Sequence, residues 1–304
     1  MAGAGFGGAY MPGLKALIDR LPSGDSSRSV TLYTSSFSVG VGLSFLVSQL
    51  VADFYSWRAA FFVTGIAPFV MVATFKPKPA PGHPLDFRPV IRNRAALGYI
   101  LGYGAHCFEL YGMRTWIVSF WTYVTARNAD NSLLGPVAIS VLITLLSLPA
   151  SVLGNEAALR FGRHRAIALI MFLSATIAIA IGFSATLSPT ILLLLLLAYG
   201  FTVPGDSGAL TSGMSSSAHP AQRGATMALH STVKFGLSAL GAWGTGVALD
   251  LAGEPTTASG WLAAFSLLAG GIVLGPFALW WSRANSPGHE LKRWQKNDHQ
   301  DDGR

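Results

Sequence analysis

Residues 189–210 read PTILLLLLLAYGFTVPGDSGAL, a run in which Asp206 is the one charged side chain. A helix needs roughly 20 consecutive, mostly apolar residues to cross a bilayer, and this run is that long. In lipid every backbone polar group must be satisfied within the protein, so only helices and closed barrels span. The block is rich in leucine and lacks the alternation of a barrel strand, so it reads as a helix. Similar blocks lie at 30–52, 59–75, 96–123, 135–154, 166–183, 224–249 and 260–282, giving eight spans in all. Composition agrees: 51% of the 304 residues are apolar and 12% charged, where a soluble chain carries about 25% charged. The mean hydropathy is +0.46.

Segment 1–11 is glycine-rich and too short to span, so it reads as the end of a further helix. Met11-Pro12-Gly13 should close it, with a polar loop at 15–28. Met1–Tyr10 has no basic n-region, so it does not read as a cleavable signal. Cys107 is the only cysteine, which excludes an intrachain disulfide.

Lys and Arg set the orientation. With loop 15–28 in the cytoplasm and the spans alternating, seventeen basic residues fall on that side and only Arg58 and Arg127 on the other. Arg114 and Lys234 fall inside spans. This asymmetry accounts for the net charge of +7 without nucleic acid and places the C-terminus in the cytoplasm of a cell (inner) membrane protein. Loop 76–94 holds Pro77, Pro79, Pro81, Pro84 and Pro89 and should be extended. It divides a first part, 1–75, from a six-helix part, 95–283; a polar tail, 284–304, follows.

The chain also repeats itself. At an offset of 204 residues Gly40 meets Gly244, Gly42 meets Gly246, and Trp57-Arg58-Ala59-Ala60-Phe61 meets Trp261-Leu262-Ala263-Ala264-Phe265. By that offset the counterpart of Ala96 falls about 108 positions before Met1. The expectation is a fragment lacking three helices and most of a fourth.

Two parallel six-helix halves joined by a basic loop resemble the major facilitator superfamily. Gly3-Ala4-Gly5-Phe6-Gly7-Gly8-Ala9-Tyr10-Met11-Pro12 is similar to the end of that family's fourth helix. Trp57, Arg58 and Phe61 match the start of its sixth, with Ser56 in place of glycine. Arg160, Gly162, Arg163 and Arg165 fit the gating loop between its eighth and ninth helices. Leu159 stands where that loop carries aspartate, and Glu156 is the candidate substitute. The resemblance implies an all-α membrane protein. Its first bundle would be partial (end of helix 4, helices 5 and 6) and its second complete (helices 7 to 12).

Ionisable residues inside spans are costly and mark a pathway or a pair. His106, Glu109, Gly112, Met113 and Trp116 recur at helical spacing on the first span of the second part. Burial disfavours a charged carboxyl, so Glu109 suits proton binding; the alternative is a carboxyl locked to a neighbouring helix. Arg114, about 140° round the helix from Glu109, either binds an anion or snorkels outward. His230 and Lys234 share a face of a later span, and Asp206 beside Pro204-Gly205 is the expected partner of Lys234. Trp121 and Tyr123 read as an interfacial belt.

No His/Cys set has metal-ligand spacing. The glycine-rich start lacks the Lys-Ser/Thr of a phosphate loop. The expected protein is therefore not an enzyme and has no cofactor. It is a monomeric transporter of a small solute, with an organic or inorganic anion driven by protons as the favoured cargo. Efflux of a hydrophobic compound and a transport-inactive scaffold or sensor are the alternatives.

Overall fold

The computed structural model describes residues 2–21, 26–74, 86–128 and 134–284, and their regular structure is helical. The helices are α1 (Ala2–Ile18), α2 (Ser26–Phe54), α3 (Trp57–Thr74), α4 (Arg88–Arg92), α5 (Arg94–Asn128), α6 (Pro136–Phe161), α7 (Arg163–Phe183), α8 (Pro189–Thr202), α9 (Ser207–Ser217), α10 (Arg223–Ala252) and α11 (Ala258–Ala284). A 3-10 turn, Val203–Asp206, joins α8 to α9. Among the described residues, six helical stretches are long and apolar enough to cross a membrane: α2, α6, α7, the α8–α9 pair, α10 with its preceding turn, and α11. The eight expected spans fall on these six together with α3 and α5.

Helix α5 is the axis of the packing. It contacts α10 and α11 along its length and also touches α6, α8 and α9. Small residues permit this closeness, since lipid gives helices no hydrophobic drive to associate and van der Waals packing must hold them. A Cβ on Gly241 of α10 would meet the carbonyl oxygen of Phe108 of α5 at 2.1 Å. Near the α8–α9 break, a Cβ on Gly154 of α6 would lie 1.8 Å from the Gly205 carbonyl oxygen. The first part attaches through α2, which packs on α6 and α9, whereas α3 packs chiefly on α2.

Four expectations need correction. Helix α1 does not stop at Met11-Pro12-Gly13 but runs on to Ile18. Met11, Leu14 and Ile18 form a buried stripe at helical spacing, and this packing outweighs the lost backbone bond at Pro12. Gly13 leaves room for the Tyr33 hydroxyl, which donates to the Tyr10 carbonyl at 2.9 Å. The sixth span does not end at 210 but continues through α9 to Ser217. Its hydroxyls find acceptors within the helix itself, as Ser215 donates to the Thr211 carbonyl.

The loop at 76–94 is not extended throughout. Its end forms α4, with Pro89 in the first turn and Val90 buried; residues 75–85 and the tail from 285 lie outside the described residues. Trp121 and Tyr123 also move inward: Trp121 is 1% exposed, and Trp261 packs against Tyr123.

Candidate functional site

Between α1, α2, α5, α10 and the α8–α9 break lies a polar cavity of about 30 Å³, room for one or two waters. One stripe of α5 forms a wall: Tyr103, His106, Cys107, Leu110, Tyr111 and Arg114. Their spacing of three and four keeps them on one side of the helix. Tyr10 of α1, Thr34, Phe37 and Ser38 of α2, Pro204, Ser207 and Lys234 complete the lining. Two cations, Arg114 and Lys234, therefore face one small space whose lining, among the described residues, holds no carboxylate.

Arg114 donates to the Ser147 hydroxyl at 3.3 Å, and its Nε has no partner among the described residues. Lys234 is buried, with its ammonium 4.7 Å from the Tyr10 ring centroid and 5.8 Å from that of Tyr103. Such cation–π contacts offset part of the desolvation of the ammonium. Asp206 is not the partner of Lys234. Its Oδ1 lies 2.7 Å from Nδ1 of His106, and both side chains are 1% exposed. The 3-10 turn brings this about by aiming Asp206 at α5, one helix away from the expected contact.

The predicted face of α5 also divides. His106 belongs to the cavity stripe, but Glu109, Gly112 and Trp116 lie on the opposite side. Glu109 is fully buried and accepts hydrogen bonds from Ser174 of α7 at 2.7 Å and Tyr199 of α8 at 2.9 Å. Its Oε2 has no partner among the described residues. The indole of Trp116 donates to the Ala242 carbonyl at 2.9 Å and borders a small apolar void with Gly112, Thr245 and Trp261. His230 is buried one turn before Lys234; both its ring nitrogens lack partners among the described residues, and its ring lies 4.5 Å from Tyr103.

At the end of the molecule where most basic residues gather, Gly162 turns α6 into α7 with a φ of 90°, a conformation glycine adopts without strain. Arg163 donates to the Ser216 hydroxyl at 3.2 Å, while Arg160 and Arg165 are exposed. Glu156 takes a bidentate pair from Arg28 of α2, at 2.6 and 2.9 Å, so it ties α6 to α2. Beside it Asn155 accepts from Ser27 of α2 at 3.0 Å.

This helix order, the broken α8–α9 span and the cavity between the two parts agree with a sequence match to the Major Facilitator Superfamily family model over residues 1–242. The chain belongs to the Major Facilitator Superfamily. Members of this superfamily are multi-pass membrane proteins acting as secondary transporters, and this chain shares that general role. No curated protein sequence matches it.

The cavity lies between the first part, through α1 and α2, and the second part, through α5, α10 and the α8–α9 break. Sequence reasoning missed several of its residues. Cys107 and Tyr111 recur at helical spacing with the expected His106 and Arg114, a visible signal overshadowed by the charge of Glu109. Tyr10, Thr34, Phe37 and Ser38 gave no signal, because only the packing of α1 and α2 brings them to α5.

Proposed function

We propose that this transporter moves a small anionic solute, with protons as the driving ion, by alternating access around the cavity on α5. The observation that carries the reading is that Arg114 of α5 and Lys234 of α10 line one cavity whose lining, among the described residues, holds no carboxylate. A cation partly withdrawn from water without a counter-ion is costly, and the half-buried Arg114 has no acidic partner among the described residues. An anion in the cavity supplies that charge. Tyr103, Tyr10 and Thr34 add hydroxyls, and the small volume suits a short carboxylate or an inorganic oxyanion. The basic end faces the cytoplasm in this reading, which the placement of Lys and Arg supports.

The test is uptake of labelled acetate, lactate and inorganic phosphate into proteoliposomes, with and without an inward proton gradient. At least one anion should accumulate above protein-free liposomes, more so with the gradient. Arg114→Gln and Lys234→Gln should each lower uptake at least tenfold while the protein still folds. Absence of accumulation for all three, or full activity in both variants, overturns the proposal.

A further inference from the structure

We infer that Arg94, Arg163 and Arg283, at the basic end of α5, α7 and α11, hold the headgroup of an anionic phospholipid. The ends of these three helices meet there. A Cβ on Gly98 of α5 would clash with the Ser282 side chain of α11. The two helices therefore touch one turn after Arg94 and next to Arg283. The Arg94 guanidinium lies over the Trp281 ring, 5.8 Å from its centroid. Tyr99, buried further along α5, meets the His164 ring of α7 at 5.4 Å. The charges of Arg163 and Arg283 both act on that imidazole, which sets the first turn of α7 beside the end of α11. Arg163 also donates to Ser216 of α9. Arg94 and Arg283 are exposed, and Arg163 is half-buried.

Other cations at this end have carboxylates: Arg28 pairs with Glu156, and Lys15 and Arg223 share Asp19. Arg94, Arg163 and Arg283 have no ion pair among the described residues. The reason is written in the helices themselves. No acidic residue occurs in α7, α9 or α11, and the first on α5 is Glu109, deep in the bundle. Cations gathered without counter-charge repel one another, and an anion among them reverses that cost. The planar guanidinium fork matches the oxygens of a phosphate. A lipid supplies that phosphate, because apolar surface continues from the patch. Trp280 of α11 is 71% exposed, the placing of an interfacial indole, with Phe277 and Leu169 of α7 exposed beyond it. Acyl chains can lie along these side chains, which a free phosphate would leave unused. Basic pockets between spanning helices on the cytoplasmic side are sites of this kind. None of the three arginines lines the polar cavity, so the inference stands apart from the cargo.

The test is native mass spectrometry of the full chain in detergent micelles. Phosphatidylglycerol, phosphatidylcholine and glycerol 3-phosphate are titrated separately. Wild type should retain phosphatidylglycerol about tenfold more tightly than phosphatidylcholine, a factor equivalent to about 1.4 kcal/mol. Arg94→Gln combined with Arg283→Gln should remove most of that preference, and adding Arg163→Gln should remove the rest. Arg20→Gln combined with Arg127→Gln deletes the same charge from two exposed sites, after α1 and at the other end of α5, and should keep the preference. Equal retention of the two lipids by wild type overturns the inference. So does an equal loss in the two double variants, which would mean attraction to net charge alone. Glycerol 3-phosphate held as tightly as phosphatidylglycerol overturns it too, since the site would then serve a free phosphate. The wild-type comparison of lipids needs no variant, so it decides even if a substituted chain folds poorly.

Discussion

The hairpin α2–α3 and the hairpin α10–α11 carry the same motif at an offset of 204 residues, yet the structure uses it in opposite ways. Trp261 is 1% exposed and Phe265 4%, whereas Trp57 is 61% exposed and Phe61 74%. Trp261 packs on Phe120 at 4.9 Å and donates to the Pro255 carbonyl at 2.8 Å; Phe265 meets Phe120 and Tyr199. Trp57 meets Phe61 and lies under the Arg58 guanidinium, at 4.7 Å. A motif thus fixes the turn between two helices, while its burial is set by which helices pack beside it. Here α5 covers α11, but among the described residues α3 packs chiefly on α2.

The largest test of this contrast replaces the two tryptophans. Trp261→Ala should cost about 3–5 kcal/mol of stability by leaving a cavity between α5 and α11. Trp57→Ala should stay within about 0.5 kcal/mol, as at an exposed site. Thermal unfolding of each variant in the same detergent measures both. Equal losses would mean that Trp57 is buried too, and the comparison would break.

The aligned glycines give a smaller, graded version. A Cβ on Gly246 would meet the Trp116 ring at 2.8 Å, on Gly42 the Leu145 side chain at 3.1 Å, and on Gly40 nothing within 4 Å. A half-buried indole held by a hydrogen bond yields less readily than a leucine tip, so Gly246→Ala should cost about 1–3 kcal/mol. Gly42→Ala should fall below that. Gly40→Ala should be neutral or stabilising by about 0.4–1 kcal/mol, since alanine restricts the unfolded chain and fits a helix. The same unfolding assay ranks the three, and a reversed order would contradict the packing assigned to α2.

The tie between α2 and α6 comes next in size. Arg28→Ala and Glu156→Ala should lower the melting temperature by the same small amount, and the double variant by no more than either. Additive losses would show that the two side chains act independently. This pair bears on how far the sequence was legible. The eight apolar blocks mark the spans because lipid demands length and hydrophobicity, both written locally. The Arg28–Glu156 pair is not local: 128 residues separate its partners, and only the docking of α2 on α6 joins them. His106 and Asp206 were each visible as costly residues in a span, but their pairing depended on a 3-10 turn at Val203–Asp206. Helix α1 hid its continuation behind Pro12, since the stripe that carries it to Ile18 only matters once it is buried.

The smallest expected effect concerns a contact between positions that the repeat itself relates. Arg223 donates to Asp19 at 3.1 Å across 204 residues, joining the end of α1 to the start of α10. Asp19 also pairs with Lys15, one turn earlier. The Lys15 hydrogen bond, followed by that from Arg223, holds the Asp19 carboxyl below its ordinary range. A carboxyl whose folded-state pKa is depressed adds stability above its unfolded pKa and loses it as pH falls through the folded one. The melting difference between wild type and Asp19→Asn should therefore be flat near neutrality and vanish on acidification below about pH 4. Because Lys15 is the larger cause, Lys15→Gln should remove more of that difference than Arg223→Gln. The opposite ranking would make the link between the two parts stronger than the local pair, and would tie α1 to α10 more firmly than α3 is tied to anything but α2.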